Sequence, residues 1–311
     1  MNGIVVIDKP TGKTSYDVVR HIKKVLKPRK VGHTGTLDPL ATGVLPICLN
    51  EATKLAQFFV QDDKEYRVVM LLGVETDTLD TDGYIVSKQK PRCNREDIEY
   101  AVMSCVGTHE QTPPRYSAVK FKGKALYKWA REGVSINVPP RAVEIFTIDL
   151  EDISVPYVTF CLSCSKGTYI RALCADIGNR LGCGACVVAL RRTRSGRFRE
   201  CDALSLNGFK DDEIKKHLLE NVISLDDAMP DVLTIPVDNT TEKMIRNGCQ
   251  PMVEIFENSD ISSLNEGDLV QFKAENNSLV AIARMDTGCE TLPLLDKTVP
   301  VARLVRVFNG Q

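Results

Sequence analysis

A mixed α+β body followed by a small β-barrel is the fold the sequence predicts, and three observations carry it. The chain has 311 residues, 43% of them apolar, enough for one large core and a satellite domain. Strand-like and helix-like patterns alternate as far as Met229, where Pro230 marks a natural boundary. Beyond it come short strands separated by turns such as Asn265-Glu266-Gly267-Asp268 and Glu275-Asn276-Asn277-Ser278. The expected domains are residues 1–230 and 231–311.

Along the chain, residues 3–7 read as a strand, and Lys9-Pro10-Thr11-Gly12 reads as a turn. A helix follows: Thr14 and Asp17 have capping-box spacing, and Val18, Val19, Ile22, Val25 and Leu26 recur at helical intervals until Pro28. Gly32-His33-Thr34-Gly35-Thr36-Leu37-Asp38-Pro39-Leu40-Ala41-Thr42-Gly43 is a shaped loop. Strands are expected over 44–49 and 66–72 with a helix over 52–60 between them, and Asn94 can cap a helix bearing Ile98, Ala101, Val102 and Cys105. Residues 112–141 form a proline-flanked basic and aromatic insert. The core then resumes with a strand over 155–163, a helix over 168–181, a strand over 186–190 and helical patterning over 211–229.

Composition narrows the function. Residues 4–7 form a short apolar run broken by Asp8 and Lys9, and no later stretch approaches the roughly 20 apolar residues that span a bilayer, so a cytoplasmic location is expected. The eleven cysteines are odd in number and several lie within apolar runs, which suits reduced, buried thiols. A net charge of −1 argues against a nucleic-acid partner until its distribution is read. Residues 1–200 carry 30 Lys and Arg against 22 Asp and Glu, whereas residues 201–311 carry 10 against 19. A basic body with an acidic tail is compatible with RNA binding on one face.

Asp38 in its glycine-rich loop could simply make turn hydrogen bonds, and the spacing fits neither a Walker A loop nor a dinucleotide fingerprint. The stretch His33 to Gly43, however, resembles the signature of the TruB family of tRNA pseudouridine synthases. Further blocks resemble that family in the same order: Lys9-Pro10-x-Gly12-x-Thr14-Ser15, Lys64-x-Tyr66, Leu72-Gly73-x-x-Thr76-Asp77-Thr78-x-Asp80, Gln111-x-Pro113-Pro114-x-Tyr116-Ser117-Ala118 and Ser165-Lys166-Gly167-Thr168-Tyr169-Ile170-Arg171. The likeness runs from residue 3 to about 199, and more weakly through the tail. One departure stands at Asn50, where the family commonly has glycine; Asn tolerates positive φ better than most residues.

The resemblance implies a catalytic domain around a mainly antiparallel mixed sheet with flanking helices, followed by a PUA-like barrel. It implies isomerisation of a uridine to pseudouridine in the T-loop of tRNA, position 55, with Asp38 as nucleophile or base and Arg171 as its partner. Tyr66 would stack on the target uracil and assist proton removal, Tyr169 would stack beside it, and Leu190 would form an apolar wall. His33 would help to hold the flipped-out loop, with Lys9 and Asp80 supporting the substrate site. Pseudouridine has the composition of uridine, so no cofactor or metal is expected.

A uridine inside a tRNA arm must leave its stack, at a cost of a few kcal/mol that phosphate contacts and substitute stacking offset. Three basic clusters are candidates for those contacts. Arg20, Lys23, Lys24, Lys27, Arg29 and Lys30 lead into the loop, and Arg191, Arg192, Arg194, Arg197 and Arg199 follow the last core strand. In the insert, Lys120, Lys122, Lys124, Lys128 and Arg131 interleave with Tyr116, Phe121, Tyr127 and Trp129, resembling an RNA-gripping thumb. The expected partner is tRNA, held by its T-arm and acceptor stem, with the protein a monomer that needs no protein partner.

Three other readings compete. Cys161-x-x-Cys164 with Cys183-x-x-Cys186 has zinc-ribbon spacing, although a strand and a patterned helix occupy the places where a ribbon would be. A non-catalytic tRNA-binding factor could use the same scaffold, and an RNA-guided relative would need protein partners and a guide RNA.

Overall fold

The computed structural model describes residues 1–257 and 259–309. Its elements in chain order are β1 (Gly3–Lys9), α1 (Ser15–Leu26), β2 (Thr42–Leu49), β3 (Lys64–Leu72), α2 (Arg95–Met103), β4 (Gly107–Gln111), β5 (Arg141–Ser154), β6 (Tyr157–Cys164), α3 (Ile170–Arg180), β7 (Ala185–Ser195), β8 (Leu204–Ser205) and α4 (Asp211–Glu220). These are followed by β9 (Leu233–Val237), α5 (Asn239–Arg246), β10 (Leu269–Ala274), β11 (Leu279–Met285) and β12 (Ala302–Val307). The large sheet runs β8-β1-β2-β7-β3-β6-β5-β4, with Val31–His33 paired to β2 and Phe198–Arg199 to β7. Its neighbours are antiparallel except β1 with β8 and β2 with β7, which matches the mainly antiparallel mixed sheet expected.

The run Ile4 to Ile7 is apolar without alternation because both faces of β1 are covered. Val5 and Ile7 face the helical layer, where they join Ile22 of α1, Leu173 and Ile177 of α3 and Leu218 of α4. Ile4 and Val6 face the other way, onto Phe59, Phe198, Ala228 and, from the C-terminal sheet, Leu279, Ile282 and Phe308. That second sheet has the order β9-β10-β11-β12, with β9 parallel to β10 and the rest antiparallel. The C-terminal region is therefore strand-rich, as expected, and it packs on the back of the large sheet.

Local signals placed several elements correctly. Thr14 and Asp17 exchange capping hydrogen bonds at the start of α1, and Asn94 and Asp97 do so at α2. Asn50 has φ of +52°; its side chain accepts from the Arg29 and Lys30 backbone N–H groups at 2.8 and 3.2 Å, which stabilises the left-handed turn where glycine is usual.

Three readings need correction. The helix expected over 52–60 is a 3-10 turn, Asn50–Lys54, followed by one helical turn, Ala56–Phe59. The long strand β5 escaped notice, because register shifts between Ile145 and Thr147 and between Leu150 and Asp152 break its two-residue alternation. The helix expected over 211–229 stops at Glu220; Ile223 then pairs with Ile4, and Val222, Ile223 and Leu225 meet the core from extended or turning chain.

Candidate active site

The loop carrying Asp38 spans the gap between Val31–His33 and β2, at the point where β2 meets β7 in parallel through Thr42, Gly43, Arg191 and Arg192. Gly43 has φ of +98°, and a Cβ on it would collide with the Arg192 carbonyl, so only glycine allows the approach. The Lys9-to-Ser15 block anchors the loop from below. Ser15 Oγ donates to Leu37 O at 3.1 Å and accepts from Leu37 N–H at 2.8 Å, and Gly12 N–H donates to Pro39 O at 2.9 Å. Lys9 is fully buried, and its ammonium donates to the carbonyls of Pro10, Lys13 and Pro39. It cross-links the loop from behind and does not itself line the cleft. Burial lowers its pKa to about 8, against the opposing pull of Asp38.

Arg171 occupies the first turn of α3 and is almost fully buried. It grips Asp38 bidentately, Nε to Oδ2 at 2.9 Å and Nη2 to Oδ1 at 3.0 Å. The same guanidinium donates to Thr78 O at 2.5 Å and Tyr116 O at 2.9 Å, and Nη1 lies 3.4 Å from Asp80 Oδ2. One side chain thus fixes the loop, the 76–82 turn and the root of the basic insert. Burial pushes the Asp80 carboxyl up, while hydrogen bonds from Thr78 and the charge of Arg171 pull it down.

Asp38 faces a cleft of about 640 Å³ lined by His33, Thr78, Asp80, Tyr116, Ser117, Tyr127 and Arg131 among others. An adjoining inner lobe of about 350 Å³ is lined by Asp38, Lys64, Tyr66, Tyr169, Leu190 and Arg192 among others. Asp38, Tyr66, Arg171, His33, Tyr169, Leu190 and Asp80 are therefore brought together. Burial and the nearby Arg192 lower the His33 pKa, and its Nδ1 accepts the Gly35 N–H at 3.3 Å, as a neutral imidazole does. Burial raises the pKa values of the Tyr66 and Tyr169 phenols.

The basic clusters fare unequally. In the insert, the strands Lys120–Phe121 and Lys124–Ala125 lead into the helix Leu126–Arg131. Lys124 sits 4.1 Å over the Trp129 ring and pairs with Glu132, and Lys122 sits 5.6 Å over Phe121. Lys120, Lys122, Lys124 and Lys128 lie on this insert outside the cleft lining, whereas Tyr116, Tyr127 and Arg131 reach the cleft. The arginines after Leu190 are largely engaged within the protein. Arg191 pairs with Asp8 and Glu200, Arg194 pairs with Glu65, Arg197 donates to Ala228 O, and Arg192 is buried. That run does not form the open phosphate-binding cluster its spacing suggested. Lys64 and Arg192 also line the inner lobe, a placement not read from the sequence, where Lys64 stood only in a family-like block and Arg192 only in the basic run; a strand carrying cations at positions that should face the core was the available signal.

Lys64 is 6% exposed and donates to the carbonyls of Phe59, Val60 and Asp62. Burial lowers its pKa from 10.5 to about 8. An ammonium whose folded pKa is depressed costs stability below pH 8, and that cost is relieved as pH rises from 8 towards 10.5. Between pH 7.5 and pH 10 the protein should therefore gain about 2 kcal/mol relative to a Lys64→Met variant. Urea unfolding of the pair at both pH values measures this, and a constant difference would contradict it.

The zinc-ribbon spacing has no matching geometry. Cys161 and Cys164 lie three apart on β6 and so point to opposite faces, Cys161 donating to Glu151 and Cys164 entering the core. Burial pushes the Cys48 and Cys164 thiols up to about 12.

Comparison with known proteins places relatives along the whole chain. Residues 23–170 match the family model described as TruB family pseudouridylate synthase (N terminal domain), and residues 171–240 match tRNA pseudouridylate synthase B C-terminal domain. The chain is 50% identical to tRNA pseudouridine synthase B of Syntrophus aciditrophicus (strain SB) over 311 residues, covering 100% of both chains. It is 40% identical to the protein of that name from Thermotoga maritima, covering 99% of each. Among solved structures it resembles a chain in a crystal structure of a Cbf5-Nop10-Gar1 complex, with a TM-score of 0.73 and 27% identity over 98% of this chain and 84% of that one.

Proposed function

The chain belongs to the TruB family of pseudouridine synthases, and on that premise we propose that it isomerises a uridine of tRNA to pseudouridine, at T-loop position 55, from the Asp38 carboxylate. The observation that carries the assignment of Asp38 is its bidentate grip by a buried arginine at the mouth of a cleft. The guanidinium uses both carboxylate oxygens yet leaves Asp38 about one-third exposed, so lone pairs remain free to meet a flipped nucleotide. The reaction breaks N1–C1′, turns the uracil and forms C5–C1′; one proton leaves C5 and one is gained at N1. Covalent addition of Asp38 and proton abstraction from the sugar with a glycal intermediate both start from this carboxylate.

In this reading Tyr66 stacks on the uracil and relays the C5 proton, its oxygen accepting that proton as its own O–H proton passes on to water. Tyr169 and Leu190 complete the base pocket, Asp80 holds Arg171, and His33 steadies the opened loop. Lys120, Lys122, Lys124 and Lys128 follow the RNA backbone, with the half-buried Phe121, Tyr127 and Trp129 beside them. Residues 1–230 are the catalytic unit, and residues 231–311 are a PUA-like unit that meets the acceptor stem. The protein works in the cytoplasm as a monomer, without a protein partner. Among the described residues no helix is long and apolar enough to cross a membrane.

The test is to incubate the purified chain alone, with EDTA, on an unmodified tRNA transcript and map pseudouridine by carbodiimide primer extension. A stop at the T-loop uridine is expected. Tight tRNA binding without any stop would favour the binding-factor reading instead. Activity that appears only with added proteins and a guide RNA would favour the RNA-guided one.

A further inference from the structure

Arg192 is 1% exposed, yet among the described residues it pairs with no carboxylate. Its Nε donates to Val44 O at 2.7 Å and its Nη2 to Gly35 O at 3.1 Å. Nη1 is turned towards Gly35, where an added Cβ would stand 3.3 Å from it. Arg192 and Tyr66 line the same inner lobe, and the guanidinium charge is felt at Tyr66, Lys64, Lys9 and His33. Lys64, the second buried cation of the inner lobe, is likewise held by backbone carbonyls alone. Among the described residues no carboxylate contacts either cation, although Asp62 and Asp63 attract Lys64 from further off; burying cations so poorly paired costs several kcal/mol, a cost that an anion arriving in the lobe would offset.

The substrate's phosphates are poor candidates for that anion. The lobe is about 350 Å³, and Tyr66, Tyr169, Leu190 and Ile170 give it walls suited to a flat base. The reaction itself generates a suitable anion, because the electron pair of the broken N1–C1′ bond departs with the uracil and spreads over N1, O2 and O4.

We propose that Arg192, backed by Lys64, is a catalytic anion site that holds the detached uracil while it turns from N1 to C5. The charge is returned when the C5 pair forms the new bond to C1′; the C5 proton then leaves and N1 is protonated, so atoms and charge balance. The proposal rests on the uridine isomerisation proposed above. It gives these two residues a transition-state role distinct from that of Arg171, which is committed to Asp38.

The experiment compares wild type, Arg192→Gln, Arg192→Lys and Lys64→Met in single-turnover reactions on tRNA carrying uridine or 5-fluorouridine at the target. The fluorine stabilises the uracil anion and removes the C5 proton step. Thermal unfolding and filter binding of tRNA check fold and affinity, and tRNA affinity should stay within about threefold. Arg192→Gln should lose about 10²–10³-fold on uridine, and a smaller but clear loss of about tenfold should remain on 5-fluorouridine. Arg192→Lys should recover part of the loss, and Lys64→Met should show the same ordering more weakly. Where Arg192→Gln does not fold, the other two variants carry the comparison. Equal losses on the two substrates would mean a structural role only, and loss on uridine alone would mean action at the proton step; either overturns the proposal. A wild type inactive on uridine tRNA would instead overturn the underlying functional reading.

Discussion

Asp38→Asn is expected to abolish pseudouridine formation, by about 10⁴-fold or more, while tRNA binding is retained. The carboxamide has the shape of the carboxylate but neither its charge nor its second acceptor. Its NH₂ would face an Arg171 donor where Oδ1 or Oδ2 now accepts. The nucleophile or base is lost whichever route the reaction takes. Binding should survive because phosphate contacts dominate RNA affinity and the substitution removes no cation. Carbodiimide mapping gives the rate and filter binding gives the Kd. Activity within tenfold of wild type would remove Asp38 from the centre of the mechanism.

Arg171→Met should combine a loss of activity with a loss of fold. The substitution leaves Asp38 and the buried Asp80 without a cation and leaves the Thr78 and Tyr116 carbonyls without a donor. Breaking a buried pair by removing one partner typically costs about 3–5 kcal/mol, and activity should fall about 10³-fold as the loop, the 76–82 turn and the insert root lose their common anchor. Arg171→Lys should rescue little, because one ammonium cannot span a bidentate carboxylate and two carbonyls. Urea unfolding beside single-turnover rates tests both effects. Unchanged stability with lost activity would show that Arg171 acts on chemistry alone.

How far the site was legible depended on the kind of signal. Asp38, Tyr66 and Arg171 could be named because each stands inside a block that resembles the TruB family. Without those blocks Arg171 is one more arginine near a helix N-terminus. The Lys9-to-Ser15 block was recognisable, but its purpose was not, since the carbonyls Lys9 holds include that of Pro39, thirty residues away. The arginine run after Leu190 looked like a solvated basic face, yet Arg192 is among the most buried side chains of the protein. The long strand β5 was hidden by its two irregularities, and the segment after Glu220 looked helical only because its apolar residues are closely spaced.

By itself the amino-acid order determined what is local: the capping boxes of α1 and α2, the strand character of β1 and the left-handed Asn50. Each of these depends on backbone conformation or on spacing within one element, and so is written in a few neighbouring residues. Only the tertiary structure decided which charges are buried and what they touch. Asp38 and Arg171 are 133 residues apart, and Arg192 reaches Gly35 across 157. Whether a cation is solvated, paired or stranded depends on the chain that crosses above it, and the periodicity of its own segment carries no information about that chain.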